Sequence, residues 1–164
     1  MKQLLLVSWL LSLSAILGLP EVKADVRMPL IFGNHMVLQQ DTRITIWGWA
    51  DAGENIEVLF AGQKVRTTAN ADGTWQVKLK PVKTKKKGET LTITGKNKLV
   101  YSDVLVGDVW VASGQSNMEW GIKVRKEYAD DIAHSEDSLL RLFFVPKNTS
   151  LQPLSEIEIP QGTA

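Results

Sequence analysis

Between Asp25 and about Asp103, apolar and polar residues alternate in short stretches separated by turn signals. Ile44-Thr45-Ile46-Trp47-Gly48-Trp49 carries the β-branched and aromatic bias of a strand, and Asp51-Ala52-Gly53-Glu54 supplies a turn. Ile56, Val58 and Phe60 then recur at every second position, and Ala61-Gly62 reverses the chain toward Lys64–Thr68. Asn70-Ala71-Asp72-Gly73 is the next turn. Trp75, Val77 and Leu79 follow with Gln76 and Lys78 between them, the pattern of a strand with one wet face. Leu91-Thr92-Ile93-Thr94 repeats it before Gly95-Lys96-Asn97-Lys98. Short strands with closely spaced turn signals predict an antiparallel β-sandwich over residues 25–103. Its core is predicted to include Ile46, Val58, Trp75, Val77, Leu79, Leu91 and Ile93.

The pattern changes after Asp103. Val104–Ala112 is a nearly continuous apolar run, interrupted by Gly107 and Asp108, as expected of a strand buried on both faces of a parallel sheet. Lys126–Asp137 fits a helix with Tyr128, Ala129, Ile132 and Ala133 on one face. Leu140-Arg141-Leu142-Phe143-Phe144-Val145 reads as a second buried strand ended by Pro146. The fold class is therefore mixed: an all-β sandwich, then over residues 104–164 the first part of an α/β domain with an incomplete parallel sheet.

Residues 1–24 stand apart. Lys2 precedes the apolar run Leu4–Leu19, Pro20 breaks it, and Val22-Lys23-Ala24 places small or apolar residues where signal peptidase reads them. Cleavage is expected after Ala24, making the protein exported, periplasmic or secreted. The run is shorter than the ~20 residues needed to span a bilayer, which disfavours an uncleaved anchor. Without this segment, 17 basic and 17 acidic residues remain, so the mature chain is neutral. A neutral chain lacks the basic field that nucleic-acid backbones require, and no membrane partner is expected after cleavage. With no cysteine, a thiolate metal site and a cysteine nucleophile are excluded. His35 and His134 are the only histidines, too few for a multi-histidine metal site; no metal or cofactor is implied.

Two features of the β-region invite functional readings. Lys83, Lys85, Lys86 and Lys87 lie between Pro81 and Gly88 without interleaved aromatics, and read as a solvated hairpin loop. Trp47, Trp49 and Trp75 could stack against sugars, but strand periodicity favours packing in the core. More specific is the segment after the first apolar run, Ser113-Gly114-Gln115-Ser116-Asn117-Met118-Glu119-Trp120. A small-residue turn directly after a buried strand is where α/β folds place reactive groups. Gly114 allows a sharp bend, and Ser116 would project with its own amide free. A hydroxyl beside a free N–H supplies attack and oxyanion stabilisation, half of what acyl transfer needs.

Gly114-Gln115-Ser116-Asn117-Met118, preceded by Val106-Gly107-Asp108-Val109-Trp110, resembles the nucleophile block of the sialate O-acetylesterases, in the SGNH (GDSL-like) hydrolase superfamily. Ile31–Gln39, Trp47-Gly48-Trp49-Ala50 and Asp72-Gly73-Thr74-Trp75 are similar to that family's N-terminal β-domain. The resemblance implies that Ser116 is the nucleophile and that its backbone N–H is an oxyanion donor. It also implies metal-free hydrolysis of O-acetyl esters on sialic acids or related sugars through an acetyl-enzyme.

Family members take further oxyanion donors from later blocks, and their catalytic Asp-x-x-His pair lies near the C-terminal end. Here 48 residues follow Ser116, and the chain is expected to be a fragment, inactive by itself. Asp131-Ile132-Ala133-His134 spells the same pattern. On the predicted helix, however, His134 falls opposite the apolar face, paired with Asp131 in solvent. It is read as a decoy, and His35 as a surface or turn histidine without a catalytic role. Asn148-Thr149-Ser150 fits a glycosylation sequon that only a eukaryotic source would use. A second function class stays open: a secreted β-sandwich module that binds carbohydrate or acts as a spacer.

Overall fold

A computed structural model describes residues 25–119, 121, 125–147 and 149–157. The expected signal segment, residues 1–24, and Asn148 of the sequon lie outside the described residues. Seven strands form among those described: β1 (Val37–Gln39), β2 (Ile44–Trp49), β3 (Asn55–Phe60), β4 (Gln63–Thr68), β5 (Thr74–Leu79), β6 (Lys85–Thr94) and β7 (Lys98–Gly107). Five of them make one sheet in the order β1-β7-β6-β3-β4, and β2 pairs with β5 in a second. Ala61 and Gly62 both adopt positive φ, 50° and 74°, between the paired Phe60 and Gln63. Two consecutive left-handed residues give the turn whose twist matches that of the flanking strands, which fixes the β3–β4 register.

The buried faces of both sheets meet in one apolar cluster. Ile44, Ile46, Trp75, Val77 and Leu79 come from the small sheet; Ile56, Val58, Phe60, Leu91, Ile93, Val104 and Val106 come from the large one. All seven residues predicted for the core are buried, while Gln76 and Lys78 face solvent. The alternation thus set the register correctly, a slip of one residue having turned every side chain over. The pairing is not wholly antiparallel as expected: β1 runs parallel to β7, Val37 opposite Leu105 and Gln39 opposite Gly107. Hairpins force antiparallel neighbours, but β1 and β7 are separated by five other strands and are free to pair either way.

Trp47-Gly48-Trp49 shows why a glycine stands in mid-strand. A Cβ on Gly48 would collide with the Arg27 carbonyl and lie 3.2 Å from the Trp75 ring. The bare backbone lets Arg27 bridge to Trp49 (N to O 2.9 and 3.0 Å) while the buried Trp75 crosses beneath. Trp47 and Trp49 themselves are not core residues. They point to the face of β2 opposite Ile44 and Ile46, packed edge to face with centroids 5.5 Å apart, and Trp47 remains 37 % exposed. The lysine cluster also departs from expectation: Lys85, Lys86 and Lys87 begin β6, their side chains in solvent, with Lys85 paired to Val106 of β7.

Side chains close the ends of the sheets. Glu54, the only buried charged residue among those described, accepts the Lys96 amide at 2.6 Å and the Asp51 amide at 3.2 Å. The Asn97 carboxamide bonds both the N–H and the carbonyl of Val26, each at 2.9 Å, imitating a strand partner.

Beyond β7 the expected buried strands are not formed. Val104, Leu105 and Val106 are buried, but Val109, Trp110 and Val111 are 50, 88 and 92 % exposed. Leu140–Val145 is also irregular, with Leu142 89 % and Phe144 79 % exposed. An apolar strand is stable only when neighbours satisfy its ladder and cover its faces, and no described residues do so here. The predicted helix over 126–137 shortens to a 3-10 turn at Lys126–Tyr128 and one α-turn at Ala129–Ala133. With none of its residues buried, packing does not extend it.

Candidate active site

The chain reaches Ser116 through β7. That strand's backbone ladder with β1 ends where Gln40 N–H meets the Gly107 carbonyl at 2.9 Å. Past this point side chains take over. Gln39 Oε1 accepts the Val109 N–H at 2.8 Å, and Gln40 Nε2 donates to Asp108 Oδ1 at 3.1 Å. Gln40 Oε1 in turn accepts the Thr84 amide at 3.2 Å, tying in the segment that leads to β6. The sequence pattern had not singled out Gln39 or Gln40 as functional. Their only signal is that two long amides close the apolar stretch before Asp41.

Ser116 opens a single helical turn, α1 (Ser116–Glu119), and is exposed. The Met118 N–H bonds the Gln115 carbonyl at 3.0 Å. Gly114 does not owe its place to a left-handed φ. A Cβ there would come within 2.8 Å of Met118 Cγ, so the glycine lets the Met118 side chain fold back over the turn. The first N–H groups of any such turn lack intrahelical acceptors. Ser116 therefore combines an accessible hydroxyl with a first-turn amide.

Neither histidine reaches it. His134 caps the second helical turn, α2 (Ala129–Ala133), its Nδ1 2.8 Å from the Asp130 carbonyl oxygen rather than paired with Asp131 as expected. His35 lies in the turn before β1, with Nδ1 2.7 Å from Asp103 Oδ2. Arg141 Nη2 donates to the same oxygen at 3.0 Å. The hydrogen bond from His35, then that from Arg141, lowers the Asp103 pKa from its ordinary value. This cluster joins the loop before β1, β7 and the chain beyond α2. Among the described residues, no hydrogen bond links Ser116 to a base.

A second feature lies on the outer face of β2. Pro29, Ile31, Trp47, Val145, Pro146 and Leu154 line an open apolar cleft of about 390 Å³ with Ser155, Glu156 and Ile157 at its margin. Glu156 Oε1 accepts the Leu30 N–H at 3.1 Å and holds the late segment against this face.

No family profile matches the chain. Curated relatives do. It is 32 % identical to the mouse sialate O-acetylesterase over 141 residues, 77 % of this chain and 26 % of that protein. The rat sialate O-acetylesterase is 34 % identical over 76 % of this chain and 25 % of its own length. The human protein of the same name is 28 % identical over 81 % of this chain. The crystal structure of a carbohydrate acetylesterase from Xanthomonas citri superposes with a TM-score of 0.76 at 36 % identity, covering 81 % of this chain and 31 % of that one. The resemblance to sialate O-acetylesterases read from the motifs is borne out, and the chain spans about a quarter of the length of the curated relatives it matches.

Proposed function

We propose that these residues form part of an exported carbohydrate O-acetylesterase in which Ser116 is the nucleophile. The observation that carries the reading is an exposed serine at the first position of a helical turn, eight irregular residues beyond the strand that leaves the β-core, in a chain whose relatives are acetylesterases. In this reading the Ser116 hydroxyl oxygen attacks the acetyl carbonyl carbon and gives up its proton to a base. The tetrahedral oxyanion is held by the Ser116 N–H and further donors. The sugar leaves as an alcohol, and water releases acetate from the acetyl-serine. In this proposal the base and remaining donors come from residues other than these 164, in a longer enzyme built as a β-sandwich over 25–103 followed by an SGNH-type α/β domain. An O-acetylated sialic acid or related sugar is the substrate in this proposal, no metal or cofactor takes part, and residues 1–24 direct export.

The experiment is labelling with a fluorophosphonate, which reacts only with an activated serine. The full-length protein is expected to label and to release acetate from an O-acetylated sialoside, and Ser116→Ala to do neither. Labelling that persists in Ser116→Ala overturns the assignment.

A second reading is favoured by the exposure of Trp47. An aromatic face on an outer sheet surface is suited to stacking on a sugar ring, which makes the β-region a carbohydrate-binding module. Titration with acetylated and deacetylated sialosides decides it: the module reading requires tryptophan fluorescence changes that Trp47→Ala abolishes and Ser116→Ala leaves intact.

A further inference from the structure

We propose that Gln39 and Gln40 are positioning residues for the nucleophile turn, acting on it through Asp108 and Val109; the inference rests on the esterase reading of Ser116. The parallel ladder between β1 and β7 ends at Gly107, where the backbone partners run out. The direction in which the chain leaves the sheet is then set by side chains alone. Gln39 Oε1 takes the Val109 N–H at 2.8 Å, extending the ladder by one step with a side-chain amide. Gln40 spans two segments, donating to Asp108 Oδ1 at 3.1 Å and accepting the Thr84 N–H at 3.2 Å. Gln39 Nε2 reaches the same Asp108 oxygen at 3.5 Å. Among the described residues these are the last hydrogen bonds that tie the chain to the β-core before Ser116. Trp110 and Val111, which follow, are almost fully exposed and add no packing.

An acyl-transfer nucleophile must meet its base and its oxyanion donors to within a fraction of an ångström, and a misplacement of about 1 Å can cost roughly 10²-fold in rate. A tie at the strand exit that fixes the angle of the chain is therefore a catalytic asset although it touches no substrate. It also couples the β-region to the reaction, which gives that region a role beyond solubility or sugar binding.

The bond between Gln40 and Asp108 can be broken and remade by exchanging chemical types. Gln40→Glu sets two carboxylates against each other while keeping an oxygen for the Thr84 amide. Adding Asp108→Asn restores one donor and one acceptor with their direction reversed, at unchanged total charge. In the full-length enzyme, Gln40→Glu is expected to lower kcat on 4-nitrophenyl acetate and the rate of fluorophosphonate labelling by about 10–100-fold, with KM changed by less than about threefold. The double variant is expected to return both rates to within about threefold of the parent. Gln39→Met, which fills the same space but offers Val109 no strong acceptor, is expected to show the same loss in kcat and no rescue by Asp108→Asn. It serves as the independent variant should Gln40→Glu fold poorly, as judged by its melting temperature.

Folded single variants that keep parental kcat and labelling rates overturn the inference while leaving Ser116 as nucleophile. A double variant no faster than Gln40→Glu also overturns it, since a general loss of stability is not repaired by swapping partners. A parent protein that neither labels nor turns over overturns the esterase reading and this inference with it.

Discussion

His35 and Asp103 both occupy the left-handed backbone region, φ 63° and 52°, and their side chains meet Nδ1 to Oδ2 at 2.7 Å. Neither is a glycine, so each sits where a Cβ crowds the backbone, and the surroundings must hold it there. The His35 N–H bonds the Ser102 carbonyl at 3.0 Å, and Asn34 Oδ1 accepts both the amide and the hydroxyl of Ser102 at 2.8 and 3.1 Å. Arg141 closes the group from the far end of the chain at 3.0 Å.

The first prediction follows from the charge on Asp103. Hydrogen bonds to His35 and then to Arg141 favour its ionised form and lower its pKa below that of an ordinary aspartate. A group whose pKa falls on folding stabilises the folded state above its unfolded pKa and loses that contribution as pH falls through the folded one. The carboxyl carbon resonance of Asp103 is expected to titrate with a midpoint below that of an ordinary aspartate. His35→Asn, which tolerates the left-handed backbone but is too short to bridge, is expected to raise the midpoint, and Arg141→Met to raise it less. A midpoint unmoved by either change would mean that both contacts are absent in solution.

Gly88 carries the second prediction. It lies where the β6–β7 register shifts, between Lys85 and Glu89, and faces the left-handed Asp103. A Cβ there would strike the Asp103 carboxylate and come within 2.7 Å of its Cα. Backbone cannot swing aside as a side chain can, so Gly88→Ala is expected to destabilise by about 1–3 kcal/mol in urea unfolding. The loss should be no smaller in Asp103→Ala, because the Cα clash survives removal of the carboxylate. A Gly88→Ala protein of unchanged midpoint would show that the bulge relaxes freely.

Much of the β-core was legible because period-two alternation is a local signal, and Ile46, Val58, Val77 and Ile93 each obey it. The parallel β1–β7 pairing was not, since partner choice between distant strands depends on nothing local. Trp47 and Trp49 misled for a related reason. Their shared strand face suggested the core, yet on β2 they alternate with Ile44, Ile46 and Gly48, and that phase places them outside. After Gly107 the apolar runs name strands whose partners are not among the described residues, so burial and sequence disagree at Trp110 and Leu142. The motif marked Ser116, but the side-chain bonds of Gln39, Gln40 and Asp103 span about seventy positions, and no spacing announces such bonds.

Trp75 tests how the core is built. Its indole Nε1 is buried without a hydrogen-bond partner among the described residues, so the ring contributes through area and shape rather than through its N–H. Trp75→Ala is expected to cost about 3–5 kcal/mol in chemical denaturation. Trp75→Phe should cost clearly less, since it keeps an aromatic ring across from Gly48 and removes an unsatisfied donor. Equal losses for the two would indicate that a water or a hidden acceptor serves the indole nitrogen.

The last prediction concerns the 164 residues as a catalyst on their own. A serine hydroxyl is a weak nucleophile at neutral pH until a positioned base takes its proton, and general base catalysis is worth roughly 10²–10⁴-fold. His35 is engaged with Asp103, and His134 Nδ1 with the Asp130 carbonyl, so neither is hydrogen-bonded to Ser116. Oxyanion stabilisation is also incomplete if the Ser116 amide is the sole donor, and each missing donor costs on the order of 10²–10³-fold. Multiplied together, the two deficits leave the isolated chain near the rate of uncatalysed hydrolysis. An assay with 4-nitrophenyl acetate and an O-acetylated sialoside is expected to give equal, near-background rates for this chain and for Ser116→Ala. Sialoside turnover that vanishes with the alanine would show that a base within these residues reaches Ser116, and His134→Ala would then identify whether α2 swings to supply it. Turnover that survives both substitutions would move the chemistry away from Ser116 altogether.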